Sequence, residues 1–207
     1  MPLDDNTLGR LDRLVALLLQ WNEKINLTAV TEPRQIVERH LLDSLAVVAY
    51  LESLEAIPGE HGMVDLGSGG GFPGLVVRLA RPTWKLTSVE SIQKKIAFQQ
   101  AVDLQLRLGM EFLRGREEEL RGKRLYDVAV SRATWDPPDW ILRGVHWVNP
   151  GGVVVAMLTA DAPALLAPVG CVLLPEERYE IGRVVRRLAG IRVVPRGTES
   201  SKTSGLG

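Results

Sequence analysis

Residues Met63 to Gly74 read Met-Val-Asp-Leu-Gly-Ser-Gly-Gly-Gly-Phe-Pro-Gly, a short apolar run with an acid followed by a glycine-rich turn. Glycine suits positions where the backbone takes a positive φ or approaches a ligand closely. A helical pattern of apolar residues starts at Pro73, so the stretch predicts a strand, a turn and the start of a helix. The N-terminus of such a helix offers free N–H groups to a carboxylate or a phosphate. We therefore expect a ligand site at the end of a buried strand.

Beyond this stretch, candidate strands and helices alternate along the chain. Apolar runs that predict strands lie at residues 63–66, 86–90, 110–113, 126–131, 152–158, 178–186 and 190–194, and helical patterns lie at 73–80, 92–107, 116–120 and 137–148. This alternation predicts a doubly wound parallel α/β sheet. Only Ala189-Gly190 separates the last two runs, so we expect them to pair as an antiparallel hairpin. A seven-stranded, mostly parallel sheet closed by such a hairpin is the outline of a Rossmann-like class I methyltransferase.

Two helical patterns precede the glycine-rich stretch. Residues 7–22 carry a leucine stripe on one face, and a second helix is predicted from Pro33, which suits a first-turn position, to about Pro58-Gly59. We expect residues 1–60 to form a helical cap packed on a methyltransferase domain at 61–196. Residues 197–207 are rich in Ser, Gly and Thr, which predicts a disordered tail.

The composition is that of a soluble globular protein. The 207 residues are 45% apolar and carry a formal net charge of zero, so no global positive field indicates a nucleic-acid partner. Cys171 is the only cysteine, and the three histidines are too scattered to predict a metal site. The N-terminus lacks the pattern of a signal peptide, and no apolar run reaches membrane-spanning length. We expect a cytoplasmic monomer without a metal or a membrane partner.

Two acids at strand ends help to decide which cofactor the turn holds. Gly69-x-Gly71-x-x-Gly74 matches the dinucleotide fingerprint, but a carboxylate beside the turn, Asp65, would repel a pyrophosphate and would suit an ammonium. Glu90 ends the next strand, where its two oxygens can accept the hydroxyls of a ribose. The pattern Asp65-x-Gly-x-Gly-x-Gly thus favours S-adenosylmethionine over NAD, with a turn of purely structural role as a third interpretation.

Other polar residues fall at the same edge of the predicted sheet. Arg132 ends the fourth strand and is expected to position the substrate, with an ion pair to Asp136 or Asp139 as the alternative. Residues 116–118 follow the third strand and could meet an adenine, or their acids could simply cap a helix. The candidate cofactor-binding residues are Asp65, Gly67, Ser68, Gly69, Gly71, Phe72, Glu90, Ser91, Arg116, Glu117, Glu118 and Arg132.

Several motifs, taken together and in order, resemble one family. They are Trp21-Asn22-x-x-x-Asn26-Leu27-Thr28, Arg39-His40-x-x-Asp43-Ser44, Asp65-x-Gly-x-Gly-x-Gly-x-Pro73-Gly74, Glu90-Ser91-x-x-Lys94-Lys95-x-x-Phe98, Arg116-x-Glu118 and Ser131-Arg132-Ala133. From about Leu14 to Val194 the chain resembles the bacterial 16S ribosomal RNA 7-methylguanosine methyltransferases, also called glucose-inhibited division protein B.

The resemblance implies methyl transfer from S-adenosylmethionine to N7 of one guanosine, with 16S ribosomal RNA or the small ribosomal subunit as the partner. Guanine N7 carries a lone pair and no proton, so the enzyme needs to align the reactants and needs no general base. Arg132 would then hold guanine O6 or a phosphate. The same resemblance places Arg39, His40, Asp43 and Ser44 around the substrate pocket, although His40 and Asp43 could instead tie the second helix to the sheet.

Two positions depart from the family's pattern. Leu158-Thr159-Ala160 stands where the family has Leu-Lys-Gly, and Gly190 is matched to the arginine that precedes the family's final strand. Two cations near the RNA or the methyl-transfer site would therefore be missing. A divergent methyltransferase with another RNA or a small-molecule acceptor, and a catalytically silent RNA- or ribosome-binding module, are the alternatives.

Overall fold

The computed structural model describes residues 2–54, 62–132 and 134–195. Helix α1 (Asp5–Ile25) begins after Asp4, whose carboxylate accepts a hydrogen bond from the backbone N–H of Thr7 at 2.7 Å. Helix α2 (Pro33–Ile36) continues through a π-helical turn (Val37–Leu42) into α3 (Asp43–Ser53). The two predicted N-terminal helices are confirmed, and the expected end of the second at Pro58-Gly59 lies outside the described residues, as does the predicted tail at 197–207.

A single sheet follows the cap helices. Its strands are β1 (Gly62–Leu66), β2 (Lys85–Glu90), β3 (Glu111–Arg114), β4 (Tyr126–Ser131), β5 (Val148–Thr159), β6 (Cys171–Leu173), β7 (Glu177–Ile181) and β8 (Val184–Val193). The spatial order is β3-β2-β1-β4-β5-β8-β6, with β7 also paired to β8. Strands β1 to β5 are parallel, as predicted, and β8 is antiparallel to β5. The strand order reverses between β1 and β4, which is where doubly wound folds bind ligands.

Helices cover both faces of this sheet. They are α4 (Gly74–Ala80), α5 (Gln93–Leu106), α6 (Glu117–Leu120) and α7 (Pro137–Gly144). Successive residues of β5 face opposite cores: Val153 and Val155 join the core that contains the cap helices, and Val154 joins the core that contains Trp140 and Trp147. The cap helices thus share a core with the sheet, and the domain boundary near residue 60 stays a prediction. Within the described ranges, no helix is long and apolar enough to cross a membrane.

The final hairpin is present, but its turn lies elsewhere than predicted. β8 runs without a break through Ala189-Gly190, and the chain turns instead at Gly182-Arg183, between β7 and β8. Gly182 has a φ of 62°, and a two-residue turn with such a glycine in first place matches the twist of a hairpin. Gly190 is a glycine for another reason, because a Cβ there would lie 3.0 Å from the hydroxyl of Tyr50.

The sheet edge also contains a strand that the sequence pattern did not indicate. β6 and β7 pair with the two halves of β8, so the two short strands share one edge position in a sheet of seven positions. β6 has only three residues, which is too short for a period-2 pattern. The predicted helix at 137–148 ends early as well, because β5 already begins at Val148.

Candidate functional site

The glycine-rich turn connects β1 to α4 as predicted. Gly67, Gly69 and Gly71 have φ values of 65°, 57° and 85°, a conformation that side chains rarely adopt. A Cβ on Gly67 would lie 2.5 Å from the Cγ2 of Thr134, in the segment that follows β4. The Thr134 hydroxyl also donates to the carbonyl of Gly67 at 3.2 Å. Thr134, which the sequence did not single out, therefore packs directly against the turn.

Asp65 lies under this turn, fully buried at the end of β1. Its Oδ2 accepts a hydrogen bond from the backbone N–H of Gly74 at 2.9 Å, while its Oδ1 has no partner among the described residues. Burial raises the pKa of Asp65 to about 7, although the Gly74 hydrogen bond and the charge of Arg132 oppose the shift. A buried carboxylate with a free oxygen can accept a hydrogen bond from a cationic donor.

Glu90 ties the end of β2 to the same turn. Its Oε2 accepts from the backbone N–H of Gly69 at 2.9 Å, and its Oε1 accepts from the backbone N–H of Ile92 at 2.9 Å. Oε1 also accepts a long hydrogen bond of 3.4 Å from the Ser91 hydroxyl, whereas Oε2 has a second acceptor site that can take a donor such as a ligand hydroxyl.

A buried polar network holds the turn from behind. The Nε2 of Gln99 donates to the Ser68 hydroxyl at 2.8 Å and to the Gly69 carbonyl at 2.9 Å, and its Oε1 accepts from the Ser88 hydroxyl at 2.5 Å. Gln99 is fully buried on α5. Sequence reasoning missed it, although a glutamine three residues from both Ile96 and Val102 in an apolar stripe was a usable signal.

A cavity of about 450 Å³, the glycine-turn cavity, opens beside these strand ends. It brings together six of the predicted cofactor residues: Gly67, Glu90, Ser91, Arg116, Glu117 and Glu118. Lys95, Thr134 and Trp135 line it too. The other candidates, Asp65, Ser68, Gly69, Gly71, Phe72 and Arg132, do not line it.

Glu117 has a structural role besides its place in the cavity wall. Its carboxylate accepts hydrogen bonds from Arg121, Arg143 and the Trp147 ring N–H. Burial alone would raise the pKa of Glu117, but these donors outweigh it and lower the pKa to about 2. Both oxygens are therefore occupied by the protein itself.

A second space of about 640 Å³, the cap cavity, lies between the cap helices and the ends of β4 and β5. Arg39, His40 and Asp43, which the family resemblance places around the substrate pocket, line this cavity together with Arg132. Ser44 does not: it is fully buried, and its hydroxyl donates to the His40 carbonyl at 2.6 Å. Trp135 lines both cavities and stacks on Trp140 with ring centroids 5.8 Å apart.

Arg132 is the centre of the contacts in the cap cavity. Its Nη1 donates to the Arg39 carbonyl at 2.8 Å and lies 3.0 Å from His40 Nδ1 and 3.6 Å from Asp43 Oδ2. Asp43 is thus the counter-ion, which corrects the alternative of a pair with Asp136 or Asp139. Burial lowers the pKa of Arg132, while the carboxylates of Asp43 and Asp65 favour its charged form. The guanidinium also lies over the Phe72 ring, 5.5 Å from its centroid.

His40 is neutral and engaged at both ring nitrogens. Burial, together with the charge of Arg132, lowers the pKa of His40 to about 4. His40 Nδ1 lies 3.0 Å from Arg132 Nη1, a donor, and 3.1 Å from the Arg39 carbonyl, an acceptor, while Nε2 lies 3.0 Å from the Thr28 hydroxyl. The ring stacks on Phe72 with centroids 4.8 Å apart. His40 therefore positions Arg132 and joins the cap to the sheet.

The structure shows where Thr159 and Gly190 lie, the two positions at which the family resemblance implies a missing cation. Thr159 ends β5, and its partner across the sheet is Arg186 of β8, which lines the same cavity. Gly190 lies in the middle of β8 opposite Val155, so it cannot be the position before the final strand. That match was wrong, because the strand begins six residues earlier at Val184. Arg186 thus supplies a cation on the wall where Thr159 stands.

Comparison with known proteins gives a consistent assignment. The family model described as rRNA small subunit methyltransferase G matches residues 7–163. A protein of Anaeromyxobacter sp. (strain Fw109-5) named Ribosomal RNA small subunit methyltransferase G is 37% identical over 189 residues, covering 87% of this chain and 85% of the relative. Its namesake from Myxococcus xanthus (strain DK1622) is 44% identical over 153 residues, covering 72% of this chain and 68% of the relative.

Among solved structures, the O-methyltransferase TomG from Streptomyces achromogenes aligns with a TM-score of 0.59 at 13% identity, covering 94% of this chain and 92% of TomG. This similarity shows the class I methyltransferase fold. By its sequence, the chain belongs to the rRNA small subunit methyltransferase G family.

Proposed function

We propose that the protein transfers a methyl group from S-adenosylmethionine to N7 of a guanosine in 16S ribosomal RNA. Family membership supports this reaction. The observation that carries the cofactor assignment is the buried, unpartnered Oδ1 of Asp65 at the end of β1. An unpaired buried carboxylate oxygen is unfavourable, and the ammonium of the methionine moiety is a donor of opposite charge.

The glycine-turn cavity offers groups for the rest of the cofactor. Glu90 would accept the ribose hydroxyls, while Ser91, Arg116 and Glu118 would border the adenine. Ser68, Gly69, Gly71 and Phe72 would shape the turn, and Gly67 would let the methionine part approach the backbone. When bound, S-adenosylmethionine supplies an electrophilic methyl group.

The cap cavity suits an acceptor that keeps all its protons. The pKa of His40 is about 4, and Asp43 already accepts from Tyr179 at 2.6 Å and faces Arg132. A hydrogen bond from Thr159 lowers the pKa of Asp161, the other carboxylic acid of the cavity. These groups are poor general bases at neutral pH. Guanine N7 needs none, and Arg132 could donate to the neighbouring O6.

Incubation of unmodified 16S rRNA with the protein and labelled S-adenosylmethionine, followed by mapping of 7-methylguanosine, tests the proposal. We expect one methylated guanosine with the wild-type protein, and Arg132→Ala is expected to lower turnover more than it lowers cofactor affinity. Failure to bind S-adenosylmethionine in calorimetry would instead favour the silent RNA-binding module. Cofactor binding without rRNA methylation would favour a different acceptor.

We also propose that the active form is a cytoplasmic monomer without a metal, in which residues 1–60 act as the cap. The described residues contain no group of three or more His, Cys, Asp or Glu placed to hold a metal. The expected result is full activity in the presence of EDTA at concentrations where sedimentation shows a monomer. Loss of activity in EDTA, or activity confined to an oligomer, would contradict this part.

A further inference from the structure

A cleft of about 420 Å³, the outer cleft, opens beside the cap cavity. It lies between the π-helical turn, which contributes Glu38 and Arg39, and the β7–β8 hairpin, which contributes Arg183 and Arg186. Arg39, Asp43 and Arg186 line the cap cavity as well. The two spaces are therefore neighbours that share three lining residues.

The arginines of the outer cleft lack counter-ions. Within the described part of the chain, the guanidinium groups of Arg39, Arg183 and Arg186 make no ion pair or hydrogen bond. Neighbouring arginines do: Arg34 pairs with Glu38 at 3.0 Å, and Arg187 lies 3.5 Å from Glu176. The two carboxylates of the lining have other partners, Glu38 with Arg34 and Asp43 with Arg132, so the cleft carries an excess of positive charge.

Arg186 also acts on the group at the centre of the cap cavity. Burial lowers the pKa of Arg132, and the charge of Arg186 lowers it further, against the effect of Asp43 and Asp65. Arg186 is itself half-buried. Two cations that repel each other are both stabilised when an anion binds beside them.

We infer that the outer cleft binds a backbone phosphate of the RNA strand next to the acceptor nucleotide, with Arg183 and Arg186 as its donors. The inference rests on the proposed function and specifies its substrate as a nucleotide within a chain. A guanine base in the cap cavity is uncharged and cannot neutralise these arginines, whereas the adjoining phosphodiester can. Guanidinium groups bind phosphate through paired N–H donors, so the site suits arginine better than lysine.

Salt dependence of RNA binding tests the inference. Binding of unmodified 16S rRNA is measured from about 50 to about 200 mM KCl for the wild-type protein, Arg183→Ala, Arg186→Ala and the double variant. Arg178→Ala is the matched control, because this substitution removes the same charge from the same hairpin. Arg178 lines neither the cap cavity nor the outer cleft. Arg183 lies at an exposed turn, so its variant remains informative if Arg186→Ala is destabilised. S-adenosylmethionine affinity is measured for each protein.

The double variant, which loses the single phosphate contact, is expected to reduce the salt slope by about 0.7 and to weaken binding at low salt about ten-fold, and each single variant is expected to show part of both effects. Cofactor affinity is expected to stay unchanged, and Arg178→Ala is expected to keep the wild-type slope. If the wild-type protein methylates rRNA while the Arg183 and Arg186 variants keep its slope and affinity, the cleft assignment is wrong and the proposed function stands. If the wild-type protein binds the cofactor but leaves rRNA unmethylated, the proposed function fails and the inference fails with it.

Discussion

The hydroxyl of Tyr179 donates a hydrogen bond to Asp43 Oδ1 at 2.6 Å, and the other oxygen of Asp43 lies 3.6 Å from Arg132. One contact chain thus joins the C-terminal hairpin, the cap and the end of β4. Burial raises the pKa of Tyr179, and the charge of Asp43 adds to the shift, so the phenol remains protonated and donates. Tyr179 fixes the carboxylate that serves as counter-ion to Arg132.

Tyr179→Phe removes only this hydroxyl. We expect turnover to fall about ten-fold because Arg132 is held less firmly, and the free energy of unfolding to fall by about 1 kcal/mol. Cofactor affinity is expected to stay at the wild-type value, since Tyr179 does not line the glycine-turn cavity. Steady-state kinetics and calorimetry check this. Equal losses of turnover and cofactor affinity would mean a general structural defect.

The raised pKa of Asp65 predicts pH-dependent cofactor binding. With a pKa of about 7, much of the carboxyl is protonated below neutral pH, while an ammonium ligand favours the carboxylate. Affinity for S-adenosylmethionine is therefore expected to rise as the pH increases from about 5.5 to about 7, with proton release on binding. Calorimetry in buffers of different ionisation enthalpy measures both effects.

Asp65→Asn provides the control for this titration. In the wild-type protein the folded state keeps the Asp65 proton up to about pH 7, whereas the group titrates at 3.8 when unperturbed. Its contribution to the free energy of unfolding therefore declines as pH rises between these values. The asparagine variant is expected to lose that decline and the pH dependence of binding. If the variant kept the wild-type pH dependence of stability and of cofactor binding, another group would be responsible for both effects.

Glu90→Ala is expected to weaken cofactor binding about ten-fold to about a hundred-fold, because it removes the charged acceptor for the ribose. It also leaves the N–H groups of Gly69 and Ile92 without their acceptor, so we expect a loss of about 1–3 kcal/mol in stability. Glu111→Ala is a suitable control, since Glu111 lies on the neighbouring β3 and outside the glycine-turn cavity. Similar affinity losses in both variants would argue against a specific role for Glu90.

Gln99→Leu tests the network behind the turn. The substitution leaves two buried hydroxyls and the Gly69 carbonyl without this partner, and we expect a loss of about 2–4 kcal/mol in urea unfolding together with weaker cofactor binding. The neighbouring Gln100 is exposed, so Gln100→Leu is expected to change neither. A Gln99→Leu protein as stable as the wild type would show that the network is dispensable.

Local patterns were sufficient for the parallel part of the fold. Each strand from β1 to β4 is followed by a helical pattern, and this period change is visible in sequence. The C-terminal part was harder, because Gly190 looks like a turn residue while its real cause is the approach of Tyr50. That contact joins residues 140 positions apart, and no local pattern records it.

In the candidate site, too, some residues could be predicted from sequence and others could not. Asp65, Glu90 and Arg132 could be proposed because each lies within one residue of the end of a strand in the predicted parallel sheet. Tyr179 and Arg186 could not, because their positions depend on which residues of β7 and β8 face the cap. The Asp43 counter-ion was also missed, since it reaches Arg132 from a helix nearly ninety residues away.

The most direct test of the account is the mapping of 7-methylguanosine in 16S rRNA from a strain that lacks this gene. The account predicts the loss of one 7-methylguanosine, its return on complementation with the wild-type gene, and no return with Asp65→Ala. An unchanged modification pattern in the deletion strain would contradict the proposal that 16S rRNA is the substrate.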